Sequence, residues 1–193
     1  MNTFKRIIAL VMVSVMVALC LASCGDGGNS SVPEGMKEAS GDSVDYNFYV
    51  PSGWICDTAN GATSAYYSET DRSNVSVMSF STKYSDDTLA DWWKNYEADF
   101  KSVYTDFKEI SKENIIVDGV AALKTVFQGT LEGYTYQFMQ VAAVKDVFLS
   151  KPQIYIFTYT SVPEAYESHL EDVQSMIDAF DFHDTDVAES AEG

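Results

Sequence analysis

Apolar and polar residues between positions 44 and 183 repeat with two different periods, and the change of period separates strands from helices. Val44-Asp-Tyr46-Asn-Phe48-Tyr-Val50 alternates and stops at Pro51-Ser-Gly53, which predicts a half-buried strand ending in a turn. Trp54–Asp57, Thr63–Ser68 and Asn74–Phe80 read as further short strands. In the second half Asn114–Val117, Val120–Thr130, Tyr134–Val147 and Gln153–Thr160 are rich in β-branched and aromatic residues. Asp118-Gly119 and Glu132-Gly133 mark tight hairpin turns between them, so those neighbours are antiparallel.

Helical spacing occurs twice. From Thr88 to Asp106, with Phe107 just beyond, Leu89, Trp92, Trp93, Tyr96, Phe100, Val103 and Tyr104 recur every three or four residues, and Thr88-Leu-Ala-Asp91 forms a capping box. An aromatic stripe at this spacing reads as core packing before it reads as a ligand platform. The second helix is predicted to open at Ser161-Val-Pro-Glu164, with Ser161 as cap and Pro163 in the first turn, and to bury Tyr166, Leu170, Val173, Ile177 and Phe180. Antiparallel hairpins with two separated amphipathic helices predict an α+β fold, a central antiparallel β-sheet flanked by helices. No internal repeat is present, which sets aside solenoids and propellers.

The N-terminus is an address. Lys5-Arg6 precedes an apolar run from Ile7 to Leu21 broken only by Ser14, and Leu21-Ala22-Ser23-Cys24 follows. These are the basic, apolar and small-residue parts of a secretory signal, residues 1–23. A membrane-spanning helix is the competing reading; the small-residue cut site and the lack of a basic stop-transfer cluster oppose it. The last four residues resemble the lipobox of bacterial lipoproteins. That resemblance implies cleavage between Ser23 and Cys24, diacylation of the Cys24 thiol, and a mature protein tethered to the extracytoplasmic face of the cell membrane. Two acyl chains anchor stably where one binds marginally. Gly25 and the polar run after it look like the start of a lipoprotein from a low-GC Gram-positive bacterium.

Residues 24–43 hold no aromatic residue and read as a flexible tether to a domain at 44–183, with 184–193 a small, acidic tail. Cys20 leaves with the signal and Cys24 takes lipid, so Cys56 has no intramolecular partner. Beside Trp54 and Ile55 it reads as a small buried apolar residue rather than a reactive thiol.

Charge changes the picture of partners. The chain carries −17, and removal of residues 1–23, which hold Lys5 and Arg6 and no acid, leaves −19. Such a surface repels phosphate backbones, so nucleic acid is excluded as a partner. The aromatic fraction of 13% supports a packed core in a single domain.

Candidate chemistry is sparse. There is no phosphate loop, no Gly-x-Ser-x-Gly elbow, no His-Glu-x-x-His and no Cys pair for zinc, so no catalytic, cofactor or metal residue is assigned. His169 and His183 are the two histidines. His169 falls at the margin of the second helix's apolar face, a half-buried packing position. His183 lies with Asp181, Asp184 and Asp186, which are cation-ligand types, but a chain end makes a poor cage and a solvated terminus is the plainer reading. Asp86-Asp87 complements the dipole of the first helix, Asp71-Arg72-Ser73 is a loop tip, and the Asn74-Val-Ser76 sequon is chance in a bacterial lipoprotein.

Order and local phrases together resemble the PsbP-like superfamily, which includes DcrB-type bacterial lipoproteins. The residues concerned are Tyr46-Asn-Phe48-Tyr-Val-Pro51-Ser-Gly53-Trp54, Asp118-Gly119-Val120-Ala121, Ile154–Thr160, Glu164-Ala-Tyr166 and Met176–Phe182. The resemblance spans 44–183 and implies a sheet flanked by helices with a non-enzymatic role in binding a protein partner or assisting an envelope assembly. The alternative is a lipoprotein that binds a small ligand or cell-wall glycan through exposed Tyr and Trp. Aromatic residues lining one concave site favour the ligand, and a flat aromatic patch favours a protein.

Overall fold

The structure is a computed structural model and describes residues 32–41, 43–57, 63–82, 88–147 and 150–183. Cys20, Ser23, Cys24, Asp86, Asp87, Asp184 and Asp186 lie outside the described residues. Strands β4 (Ile55–Asp57), β5 (Thr63–Tyr66), β6 (Asn74–Ser81), β7 (Thr105–Val117), β8 (Val120–Leu131), β9 (Tyr134–Lys145) and β10 (Gln153–Ser161) form one antiparallel sheet in the order β4-β5-β6-β10-β9-β8-β7. Both predicted hairpins are present. Val117 pairs with Val120 and Leu131 with Tyr134. Asp118 (φ 44°) with Gly119 (φ 76°), and Glu132 (φ 52°) with Gly133 (φ 87°), give the positive-φ pairs of two-residue turns whose twist matches the strands.

Each face of the sheet buries a separate core. Helix α1 (Leu89–Lys101) lays Trp92, Trp93, Tyr96 and Phe100 on Leu123, Phe127, Phe138, Ile154 and Ile156. Thr88 caps it as expected: its hydroxyl oxygen accepts from the Asp91 N–H at 3.2 Å and the hydroxyl donates to the Asp91 carboxylate at 2.7 Å. Glu97 bridges Lys101 (3.0 Å) and Lys112 (3.5 Å), and Lys112 sits 4.6 Å from the Trp93 ring centre, which ties the edge strand β7 to the helix. On the opposite face α2 (Leu170–Asp178) and the segments β2 (Tyr46–Asn47) and β3 (Tyr49–Pro51) cover Val75, Val77, Met139, Val141, Tyr155, Phe157 and Tyr159 with Phe48, Val173, Met176, Ile177 and Phe180. The Trp54 indole N–H donates to Asp172 at 2.8 Å and the Tyr155 hydroxyl to Asp45 at 2.6 Å, so these two polar atoms of the layer are paired. The α+β class with a flanked antiparallel sheet is therefore the observed one.

Four expectations need correction. The segment from Tyr46 to Val50 is buried throughout rather than on alternate positions, because β2 pairs with β11 (Asp181–Phe182) and β3 with β1 (Met36–Glu38) as a layer over the sheet. β1 lies within the span read as tether, and Ala39 is buried, so ordered structure starts before residue 44. The first helix ends at Lys101 rather than at Asp106, and the 13-residue β7 begins at Thr105 rather than at Asn114. Ser161 closes β10 instead of capping a helix; a turn at 163–165 and a 3-10 segment (Tyr166–His169) precede α2. Pro163 explains the delay, since it has no N–H and biases Val162 away from helical backbone.

Candidate functional site

A helix of 13 residues is about 20 Å long, whereas a 12-residue strand spans about 40 Å. Helix α1 therefore cannot cover β8 and β9 along their length. It starts near the Asp118-Gly119 end and delivers Tyr104 onto Phe127 and Phe138, with ring centres 5.2 and 5.1 Å away. Beyond Tyr104 the same face stays uncovered at the Glu132-Gly133 hairpin.

An open pocket of 490 Å³ occupies that end, within the size range of small-ligand sites. Tyr134, Tyr136 and Phe138 reach it from one face of β9 at a spacing of two. Phe138 is almost fully buried and forms the floor; Tyr134 is 69% exposed at the rim. Val162, 45% exposed, and Thr160 line it from the end of β10. The opposite wall is the β5–β6 loop, residues 70–73.

That loop is held by its own short polar side chains and by two long-range contacts. The Tyr67 N–H donates to the Ser73 carbonyl at 2.8 Å, and the Ser73 N–H to the Asp71 carboxylate at 3.0 Å. The hydroxyls of Ser73 and Ser161 bond one another at 2.8 Å, both buried, which joins loop to strand β10. Asp71 also meets His169 Nε2 at 2.8 Å. The His169 ring lies 4.1 Å from the Tyr67 ring and 6.0 Å from Trp54, and is 5% exposed. Burial pushes the Asp71 carboxyl up, but hydrogen bonds from Ser73 and His169 outweigh it and hold its pKa below the ordinary value. Arg72 stacks over Tyr66 at 4.5 Å and faces Glu69 at 3.7 Å. Burial raises the Tyr136 phenol, and the nearby Tyr134 and Glu132 raise it further, so at neutral pH Tyr136 presents a protonated hydroxyl.

These groups can bind an apolar group against aromatic faces and offer it polar contacts at the rim. The Asp71–His169 pair buttresses the loop from behind. Of the other sequence-singled residues, Cys56 is half-buried against the α2-side core, with its sulfur 4.0 Å from the Glu38 carbonyl oxygen. His183 Nε2 meets the Asn47 side-chain oxygen at 2.9 Å, and the Asn47 amide donates to Asp181 at 2.9 Å, so this pair clamps β11 to β2. Among the described residues no group of three or more His, Cys, Asp or Glu is placed to hold a metal ion. All three tryptophans are core residues: Trp54 at 1% exposed, Trp92 and Trp93 at 8%. In the sequence Tyr134 and Tyr136 read as strand residues and not as site residues. Their signal is three aromatics at a spacing of two beside an exposed hairpin turn.

No protein-family model and no curated protein matches the chain in sequence. Solved structures match it in fold. PsbP (CyanoP) from Synechocystis superposes with a TM-score of 0.53 at 16% identity, covering 84% of this chain and 99% of that one. LpqN, involved in cell envelope biogenesis of Mycobacterium tuberculosis, gives 0.52 at 8% identity over 79% of this chain and 81% of its own. The Ran-binding protein Mog1p of Saccharomyces cerevisiae gives 0.50 at 12%, covering 78% and 96%. At these identities the likeness is one of fold: the chain has a PsbP-like α+β fold.

Proposed function

We propose that the chain is an extracytoplasmic bacterial lipoprotein whose PsbP-like domain binds a protein partner, or assists an envelope assembly, without catalysis. The observation that carries this is the fold, whose other bearers include a Ran-binding protein and an envelope-biogenesis protein; the open pocket at the Glu132-Gly133 end of the sheet, with Tyr134, Tyr136 and Phe138 in one concave site, is by itself the arrangement that favours a ligand. In this reading residues 1–23 are removed, Cys24 carries the lipid, and the stretch up to β1 is the tether. Twelve residues of such composition reach about 20 Å, enough to lift the domain off the bilayer. Residues 184–193 form an acidic tail, and the chain is that of a Gram-positive bacterium. Among the described residues no helix is long and apolar enough to cross a membrane.

Membrane fractionation tests the anchor: wild type sediments with membranes, Cys24→Ala does not, and mass spectrometry finds the mature N-terminal peptide diacylated. Equal membrane fractions for the two would reject lipidation. A second reading, binding of a wall glycan, is favoured by Tyr134 and Tyr136, whose faces can stack on sugar rings; the burial of all three tryptophans weighs against it.

A further inference from the structure

We propose that the pocket receives an apolar, basic segment of a protein partner: an apolar side chain seated on Phe138 and Tyr136, followed by a Lys or Arg that meets the acidic rim. This rests on the protein-partner reading above and names the partner's chemistry.

Three observations converge. The floor and walls are apolar where α1 falls short, with Phe138 below and Leu131, Val162 and the Tyr136 ring at the sides. A pocket of 490 Å³ holds a few side chains and not a domain. Strand addition is not open here, because β10 is paired on both edges at this level, Thr160 with Asn74 on one side and Phe138 on the other. Recognition must therefore use side chains on an aromatic surface.

Charge selects among such segments. Glu132 at the hairpin apex is exposed beside the pocket, whereas the Asp71 carboxylate on the opposite wall is taken up by the Ser73 N–H and His169, and the Arg72 guanidinium is drawn to Glu69 and the Tyr66 ring, so Glu132 is the acidic group that the rim offers. The chain as a whole carries −17. Both the rim and the long-range field attract cationic segments and repel acidic ones.

The test is an amide NMR titration of the full mature chain from residue 24 with Cys24→Ser, using capped tetrapeptides Lys-Leu-Phe-Lys and Glu-Leu-Phe-Glu, and an N-acetylglucosamine trimer. The proposal expects the lysine peptide to shift amides at 70–73, 131–136 and 160–165 saturably, and the glutamate peptide not to. Glu132→Gln should weaken the lysine peptide about two- to fivefold, the range of one exposed ion pair. Val162→Ser, an exposed change, should weaken it through the apolar contact. Equal binding of the two peptides overturns the basic-segment proposal and leaves the protein reading standing. Shifts with the trimer and neither peptide overturn both, and silence from all three probes overturns the assignment of the pocket.

Discussion

Replacing Gly129 by alanine adds one methyl group near the end of β8, a change that in a strand ordinarily stabilises by about 0.5–1 kcal/mol. Here the opposite sign is expected. The new Cβ would lie 2.8 Å from Cβ and Cγ of Tyr104 and 2.9 Å from its Cδ1. Carbon atoms rest about 3.5–4.0 Å apart, so one partner must move by about 0.7 Å or more. Tyr104 has nowhere to go, since its ring is hemmed by Phe100, Phe127 and Phe138 at 5.5, 5.2 and 5.1 Å. Overpacking of this kind costs about 1–3 kcal/mol, which exceeds the backbone gain. Urea unfolding followed by circular dichroism should show a lower midpoint at unchanged slope, and Tm should fall by about 3–10 °C. A double-mutant cycle isolates the cause: in a Tyr104→Gly background, which removes Cβ together with the ring, the same methyl group should be neutral or stabilising. A stable Gly129→Ala, or equal destabilisation in both backgrounds, would refute the packing account of how α1 hands over to β7 at the edge of the pocket.

Other outcomes follow from the same contacts. Trp54→Phe keeps most of the buried ring volume but loses the N–H donated to Asp172, and should cost about 1.5–3 kcal/mol in chemical denaturation; an effect below half a kcal/mol would mean the bond contributes little. Because the folded pKa of Asp71 is held below its unfolded value, its stabilisation is present above the unfolded value and is lost as pH falls through the folded one. Asp71→Asn should therefore lower stability at neutral pH and flatten its decline between about pH 4 and the folded pKa, and an unchanged acid limb would contradict the pairing. At the alkaline end, burial pushes the Tyr159 phenol up to about 12, Tyr96, Tyr155 and Tyr166 higher still, and Tyr104 well above its ordinary value. These groups stay protonated when folded while the unfolded chain releases protons above about pH 10, so stability falls beyond that pH. A cooperative step in tyrosinate absorbance should coincide with loss of the circular dichroism signal, and ionisation of this set in a chain still folded would refute it.

The sheet was legible because its inner strands are apolar on both faces and its turns carry Asp118-Gly119 and Glu132-Gly133. β7 was not. It is the outer strand, paired on one side, and Lys108, Glu109, Lys112 and Glu113 leave it without an alternating pattern; its irregular register near Thr105–Ser111 blurs the period further. Val103, Tyr104 and Phe107 do pack with the helix stripe, so helical spacing ran on past the point where the backbone turns. β1 was missed for a related reason: Met36-Lys-Glu38 is a polar three-residue strand made by its pairing with β3. The pocket was the least legible feature. It joins residues near 72, 134 and 162 that come together through strand register, while in the sequence the loop tip Asp71-Arg72-Ser73, the Glu132-Gly133 turn and Ser161 read as separate local features.

The central claim is that a tethered, non-catalytic domain meets its partner protein at the Glu132-Gly133 end of the sheet. In-cell photo-crosslinking tests it most directly, with a photoreactive residue placed at Tyr134 in one strain and at Glu171, exposed on α2, in another. The account predicts one discrete protein adduct at position 134, absent at 171 and diminished when Val162→Ser is added. The same adducts from both positions, or glycan rather than protein at 134, would contradict it.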